Sequence, residues 1–278
     1  MSVVHHETFR VRYYECDAYG HLTPINYLRW MQEAAFGASM AVGYDFARYS
    51  ELRHLWLVRE TEIEYIVPLD YGTDVTVRTW VADFRRAHSR RRYEFMNAKT
   101  GEVAARASTD WVYINTQTLR PVTVPQEMQS AFCPDGPPEA DTPWRRFPQA
   151  PSPPPDVFTT RIQVEWRDID TMWHVNNAVY LRYIEGADAR SREARCWPNQ
   201  SGVEDKFDMA MQAYRIEYRQ PAQMGDELDI ASWFSEDQEA PMLRHYTIRR
   251  ANDQALIARA RTNWMRAETH QDHFTQRA

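Results

Sequence analysis

Cysteine is scarce: Cys16, Cys133 and Cys196 are the three in 278 residues, an odd number with no CxxC pair. That excludes a disulfide framework and a cysteine zinc site, and it reads as reduced thiols in a reducing compartment. No metal and no other cofactor is expected. Lysine is nearly absent, with Lys99 and Lys206 alone, and the arginines create no basic excess because the formal charge is -6. A balance of that sign argues against general nucleic-acid binding, which wants a basic surface. Missing too is any run near the roughly 18 apolar residues of a membrane span. The opening MSVVHHETFRVR has no apolar stretch of the kind a signal peptide needs, so a cytoplasmic protein is expected.

What the chain does contain is a copy of itself. ECDAYGHLTPINYLRWMQEA at 15–34 and DIDTMWHVNNAVYLRYIEGA at 168–187 place an aspartate, a histidine four residues on and a tyrosine-led apolar stretch in the same order. Asp17 and Asp170 stand 153 positions apart, and so do His21 and His174, Tyr27 and Tyr180, Tyr65 and Tyr218, Trp80 and Trp233, and Trp111 and Trp264. One constant offset over such a span means two copies of a whole domain, with a period too long for a solenoid. The copies are placed at 1–130 and 159–278. Between them, residues 131–158 are proline-rich, favouring stiff extended backbone, and Trp144, Phe147 and Phe158 suggest that this linker docks on a domain surface.

Each copy follows one plan. A short alternating strand (Phe9–Tyr13; Ile162–Trp166) leads into a polar turn and then a helix. In the second copy Tyr180, Tyr183, Ile184 and Ala187 form one helical stripe, and in the first Tyr27, Trp30, Met31, Ala34 and Ala35 do so, with Gly43 as a stop. Strand-like runs follow at 55–67, 74–84, 90–98 and 103–115, and their equivalents recur in the second copy. The plan is α+β, a helix covered by an antiparallel meander.

The strand, the D-x-x-x-H turn, the tyrosine-led helix and the later E-I-E-Y…P…G strand pair resemble the hot-dog thioesterase superfamily, in particular its 4-hydroxybenzoyl-CoA and acyl-carrier-protein thioesterase branches. Asp170-Thr-Met-Trp-His174-Val-Asn-Asn177-Ala-Val-Tyr180 is similar to that superfamily's signature. The resemblance implies two tandem hot-dog domains, each an antiparallel sheet around a long central helix, joined edge to edge as an intramolecular pseudo-dimer. It also implies a cofactor-independent hydrolase of an acyl-CoA or acyl-carrier-protein thioester, and a homo-oligomer of such pseudo-dimers is expected. The chain departs from the pattern in four places. Trp173 replaces the usual glycine, which the first copy keeps as Gly20. Met172 stands where the plant acyl-carrier-protein thioesterases place a catalytic asparagine. Leu22-Thr23-Pro24 replaces Val-Asn-Asn. The helix glutamate Glu185 is matched by Gln32.

Thioester hydrolysis needs an attacker, an oxyanion stabiliser and a place for the acyl chain. Asp17 and Asp170 are the candidate attackers, as general base toward water or as direct nucleophile. Backbone N–H groups at the turn and helix start are the candidate oxyanion donors. His21 and His174 are candidates to orient carboxylate or carbonyl, Asn176 and Asn177 to cap the helix or position water, and Glu185 to supply a further carboxylate. Trp173 is expected to narrow or close one acyl pocket. Arg90 and Arg91, in the basic tract FRRAHSRRR, either meet thioester phosphates at a groove mouth or deter pairing on an edge strand. Two alternatives stay open: a thioester-binding module without turnover, and a hot-dog hydratase, disfavoured because the D-x-N-P-x-H turn is missing.

Overall fold

The computed structural model describes residues 1–136, 146–194, 209–235 and 242–266. Trp144 and Cys196 lie outside them. Strand β1 (His5–Arg10) leads through a 3-10 turn to helix α1 (Pro24–Ala41), helix α2 (Phe46–Leu52) and strands β2 (His54–Tyr65), β3 (Asp74–Arg85), β4 (His88–Asn97) and β5 (Val103–Asn115). Helix α3 (Gln126–Phe132) follows, so Ala131 and Phe132 finish a helix where the linker was expected to begin. The second half runs β6 (Phe158–Gln163), α4 (Val179–Glu193), β7 (Met209–Tyr218), β8 (Glu227–Phe234), β9 (Met242–Arg250) and β10 (Leu256–Arg266).

The ten strands among the described residues form one antiparallel sheet in the order β1-β3-β4-β5-β2-β7-β10-β9-β8-β6, which reads as one half followed by its mirror. The halves meet where β2 pairs with β7, Glu60 opposite Glu217 and Ile63 opposite Tyr214. Like charges facing each other are destabilising unless answered. Here Glu60 pairs with Arg215, and Glu217 with Arg59 at 2.8 Å and Arg259 at 2.6 Å. The linker's Phe147 is buried on this outer face, its ring 4.8 Å from the Arg259 guanidinium and 5.5 Å from that of Arg215. On the inner face both long helices share one apolar core, with Leu28 and Met31 of α1, Leu181 and Ile184 of α4, and Ile63 and Ile216 of the joint strands.

Two expectations need correcting. The first strand of each half stops at Arg10 and at Gln163, although the alternation of residues runs on. The Glu15 carboxylate takes the Arg12 N–H at 2.9 Å and Asp168 takes the Glu165 N–H at 3.0 Å, and these local closures outcompete the ladder. Nor is the basic tract an edge strand: β4 lies between β3 and β5, and the edges are β1 and β6.

Candidate active site

Helix α4 is entered through a turn closed by its own side chains. Buried Asp168 holds the turn's base, accepting the Tyr183 hydroxyl at 2.6 Å and pairing with Arg182. Asp170 Oδ1 then accepts the Met172 N–H at 2.9 Å, while the Asp170 N–H donates to the His174 carbonyl at 3.0 Å. This tight loop needs a left-handed residue just before the histidine, at Trp173 (φ +61°) and at Gly20 (φ +83°). At Gly20 the absence of a Cβ lets the loop adopt this conformation without strain. The Trp173 side chain is 71 % exposed and packs edge-on against Trp166 at 6.0 Å, so it neither narrows nor closes a pocket.

The remaining side chains gather around Asp170. His174 Nδ1 lies 3.7 Å from Asp170 Oδ1 and 3.2 Å from the Val175 carbonyl. The Asn176 amide donates to Asp170 Oδ2 at 3.4 Å, and its oxygen closes an Asx turn just before the helix by accepting the Ala178 N–H at 3.0 Å. The Asn177 carbonyl accepts the Tyr218 hydroxyl at 2.9 Å. Asp170, His174, Asn176 and Asn177 border a cavity of about 360 Å³, a size typical of ligand pockets. Apart from Thr171 and Met172 of the same turn, its other walls belong to the first half: Gln32 and Ala35 of α1, Tyr49 of α2, Trp56 of β2, Arg91 of β4 and Phe132 of α3. The turn of one half thus opens onto the hollow of the other, and Gln32 occupies the place where Glu185 stands in the duplicate.

Glu185 is not in that site. It faces the first-half turn, where burial first, then the charges of Asp188 and Asp17, push its carboxyl up to about 8. In that turn Asp17 Oδ1 accepts the Tyr19 and His21 N–H groups at 2.9 and 3.0 Å. The His21 ring turns away to Asp70, 3.6 Å off, and Thr23 bonds back to the Glu15 carbonyl at 3.1 Å where Asn176 reaches its aspartate. Pro24 opens α1 as its first residue. The sequence signature is duplicated but the constellation is not.

Arg90 and Arg91 point to opposite faces of β4, as neighbours in a strand must. Arg90 forms a two-pronged pair with Asp110 on the outer face, at 2.7 and 2.8 Å, and contributes nothing to the cavity. Arg91 is buried in the cavity wall and not at a mouth. The helices that complete the cavity, α2 and α3, escaped the sequence reading because seven residues show no periodic stripe. The readable signal was Asp45, whose carboxylate caps α2 on the Arg48 N–H at 2.8 Å. Among the described residues no His, Cys, Asp and Glu cluster is placed to hold a metal, and no helix is long and apolar enough to cross a membrane.

A sheet of paired halves wrapped on two helices, with an Asp–His turn at each helix start, defines a double hot-dog protein. Comparison with known proteins agrees. The family model of the acyl-ACP thioesterase N-terminal domain matches residues 2–132, and that of the thioesterase-like superfamily matches 164–274. The chain belongs to the hot-dog thioesterase superfamily. The chloroplastic palmitoyl-acyl carrier protein thioesterase of Cuphea hookeriana is 28 % identical over 192 residues, 66 % of this chain and 46 % of that protein. Oleoyl-acyl carrier protein thioesterase 1 of Arabidopsis thaliana is 27 % identical over 192 residues, 64 % of this chain and 53 % of its own length. The chain thus spans about half the length of the curated relatives it matches. Among solved structures, a 12:0-ACP thioesterase from Umbellularia californica superposes with a TM-score of 0.76 at 21 % identity, covering 95 % of this chain and 94 % of that one. An acyl-ACP thioesterase from Bacteroides thetaiotaomicron gives 0.73 at 19 %, covering 94 % and 98 %. At these identities the structures speak for the fold.

Proposed function

We propose that the protein hydrolyses an acyl thioester, acyl-carrier-protein or acyl-CoA, to a free acid and a thiol, at the Asp170 turn alone. The observation that carries this reading is the meeting of Asp170, His174 and Asn176 with an apolar cavity built by the other half. The acyl chain lies in that cavity, with its thioester carbonyl at the turn. Asp170, held by the Met172 N–H and the Asn176 amide, acts as general base toward water. Asn176 takes the water-positioning place that Met172 cannot fill, because a thioether donates no hydrogen bond. The Asn177 N–H, which donates to no acceptor among the described residues, stabilises the oxyanion at the positive end of α4. Water adds to the carbonyl, its proton passes to Asp170, and the C–S bond then breaks to release the thiol, which recovers the proton. The resemblance of the relatives, all named as acyl-carrier-protein thioesterases or hydrolases, supports the reaction class.

The test is thiol release from a panel of acyl-CoA and acyl-carrier-protein thioesters by wild type, Asp170→Asn and Asp17→Asn. Loss in Asp170→Asn with retention in Asp17→Asn upholds the reading. Equal loss in both, or release by neither wild type nor variant on any substrate, rejects it.

A further inference from the structure

The duplication provides an internal control for one buried charge. Arg91 is 6 % exposed, forms part of the cavity wall, donates to Thr79 Oγ1 at 3.3 Å and lies 5.4 Å from the Phe132 ring. Among the described residues no carboxylate pairs with it. The groups whose charges favour its cation are Tyr93, Tyr49 and Cys133, and burial lowers its pKa against them. Two aspartates share the cavity wall, and each is engaged elsewhere, Asp45 on the Arg48 N–H and Asp170 in its own turn.

The same position of the second half is Arg244, 1 % exposed, and there the guanidinium has resident partners. Arg244 Nη2 donates to Ser232 Oγ at 2.7 Å, the counterpart of Thr79, and to Ser191 Oγ at 2.8 Å. Its Nη1 lies 3.1 Å from Asp188 Oδ1, and the Tyr246 hydroxyl bonds both oxygens of that carboxylate at 2.9 and 3.0 Å. The counterpart of Asp188 is Ala35, 153 positions earlier, which lines the cavity. One arginine is therefore present twice: once with a resident carboxylate, and once with a methyl group and open space in its stead. A buried cation without a counter-charge burdens a fold, and a planar guanidinium is suited to take a carboxylate on two prongs.

We propose that Arg91 receives a carboxylate carried by the substrate, so that the acyl group bears a second acid at the end remote from the thioester: an ω-carboxyacyl thioester, the half-thioester of a dicarboxylic acid. The proposal rests on the hydrolase reading for the direction in which the acyl chain lies. Arg91 sits beside Phe132, in the satellite core of Val81, Tyr113 and Met128, whereas the Asp170 turn adjoins the core shared by both halves. An acyl chain with its carbonyl at the turn leads its far end toward the guanidinium.

The experiment compares kcat/KM for ω-carboxyacyl-CoA and plain acyl-CoA of equal, graded chain length in wild type, Arg91→Met and Ala35→Asp. Free dicarboxylic acids of the same lengths are tested for stabilisation in thermal melts. Wild type is expected to favour the ω-carboxyacyl substrate by roughly tenfold or more at one length, the scale of a charge-assisted pair. Both substitutions should collapse that ratio, and Ala35→Asp should also raise Tm by reproducing the Asp188–Arg244 pair. A wild-type preference for plain acyl chains at every length, or a ratio that survives either substitution, overturns the proposal. If Arg91→Met does not fold, Ala35→Asp carries the comparison. If wild type releases thiol from neither substrate, the hydrolase reading fails and binding decides. A dicarboxylic acid that raises the Tm of wild type but not of Ala35→Asp upholds the carboxylate site, and no rise at any length overturns it.

Discussion

The two Asp–His turns share their order of residues and their backbone closures, yet among the described residues it is the second that borders the large cavity. In the second, His174 and Asn176 lean on Asp170 at the rim of the first half's hollow. In the first, His21 leans on Asp70 and the neighbouring carboxyl is half-buried Glu185. The hollows diverge in the same way. The first half's is lined by Ala35, Phe132 and the ring of Tyr49, while at the equivalent arginine of the second half Asp188, Ser191 and Tyr246 plug the space beside Arg244. A duplicated domain can thus divide its labour, with one copy supplying the turn and the other the pocket.

The largest effect expected of that division is on catalysis. Asp170→Asn should lower kcat by about a hundredfold or more, in keeping with loss of a general base, while Asp17→Asn keeps most of it. Steady-state kinetics on both variants reads this directly, and two equal losses would break the comparison.

The plug should come next. Asp188→Ala leaves Arg244 buried without its carboxylate and should cost about 3 kcal/mol in urea unfolding. Adding Arg244→Met should recover much of the loss, because an apolar side chain then replaces a stranded charge. A double variant no more stable than the single would show that the plug is not an ion pair in its energetics.

Glu185 makes the first-half turn sensitive to pH. Its carboxyl keeps a proton up to about 8 in the fold but ionises near its ordinary 4.5 when the chain unfolds. Its folded pKa is raised, so the contribution is fully present below about 4.5, is lost progressively as pH rises to about 8, and is flat beyond. Glu185→Gln should therefore match wild type in stability near pH 4 and exceed it by roughly 2 kcal/mol at pH 8, once partial solvent access is allowed for. Denaturant melts at the two pH values check the sign.

The smallest effect is at Trp173. A tryptophan at φ +61° is strained, and Trp173→Gly relieves that strain while losing the edge contact with Trp166. A net gain of about 0.5 kcal/mol is expected, with no change in acyl-chain preference. A changed preference would mean that the side chain reaches the cavity after all.

From residues alone, the constant offset of 153, the two helical stripes and the strand runs determined the duplication, the α+β plan and the two aspartates as candidates. Those signals are periodic and local, and a single chain displays them without knowing its partners. Which aspartate meets a pocket was settled by tertiary structure. The helix of each half packs beside the turn of the other, so Glu185 left the site of Asp170 and Gln32 entered it. Strand order did the same for arginine. Two neighbours in one basic tract were sent to opposite faces of an interior strand, Arg90 to Asp110 and Arg91 into the hollow. Side-chain alternation can be read from sequence, but which face is core, and whether a carboxylate waits there, depends on elements distant in the chain, such as α1 with Ala35 and α3 with Phe132.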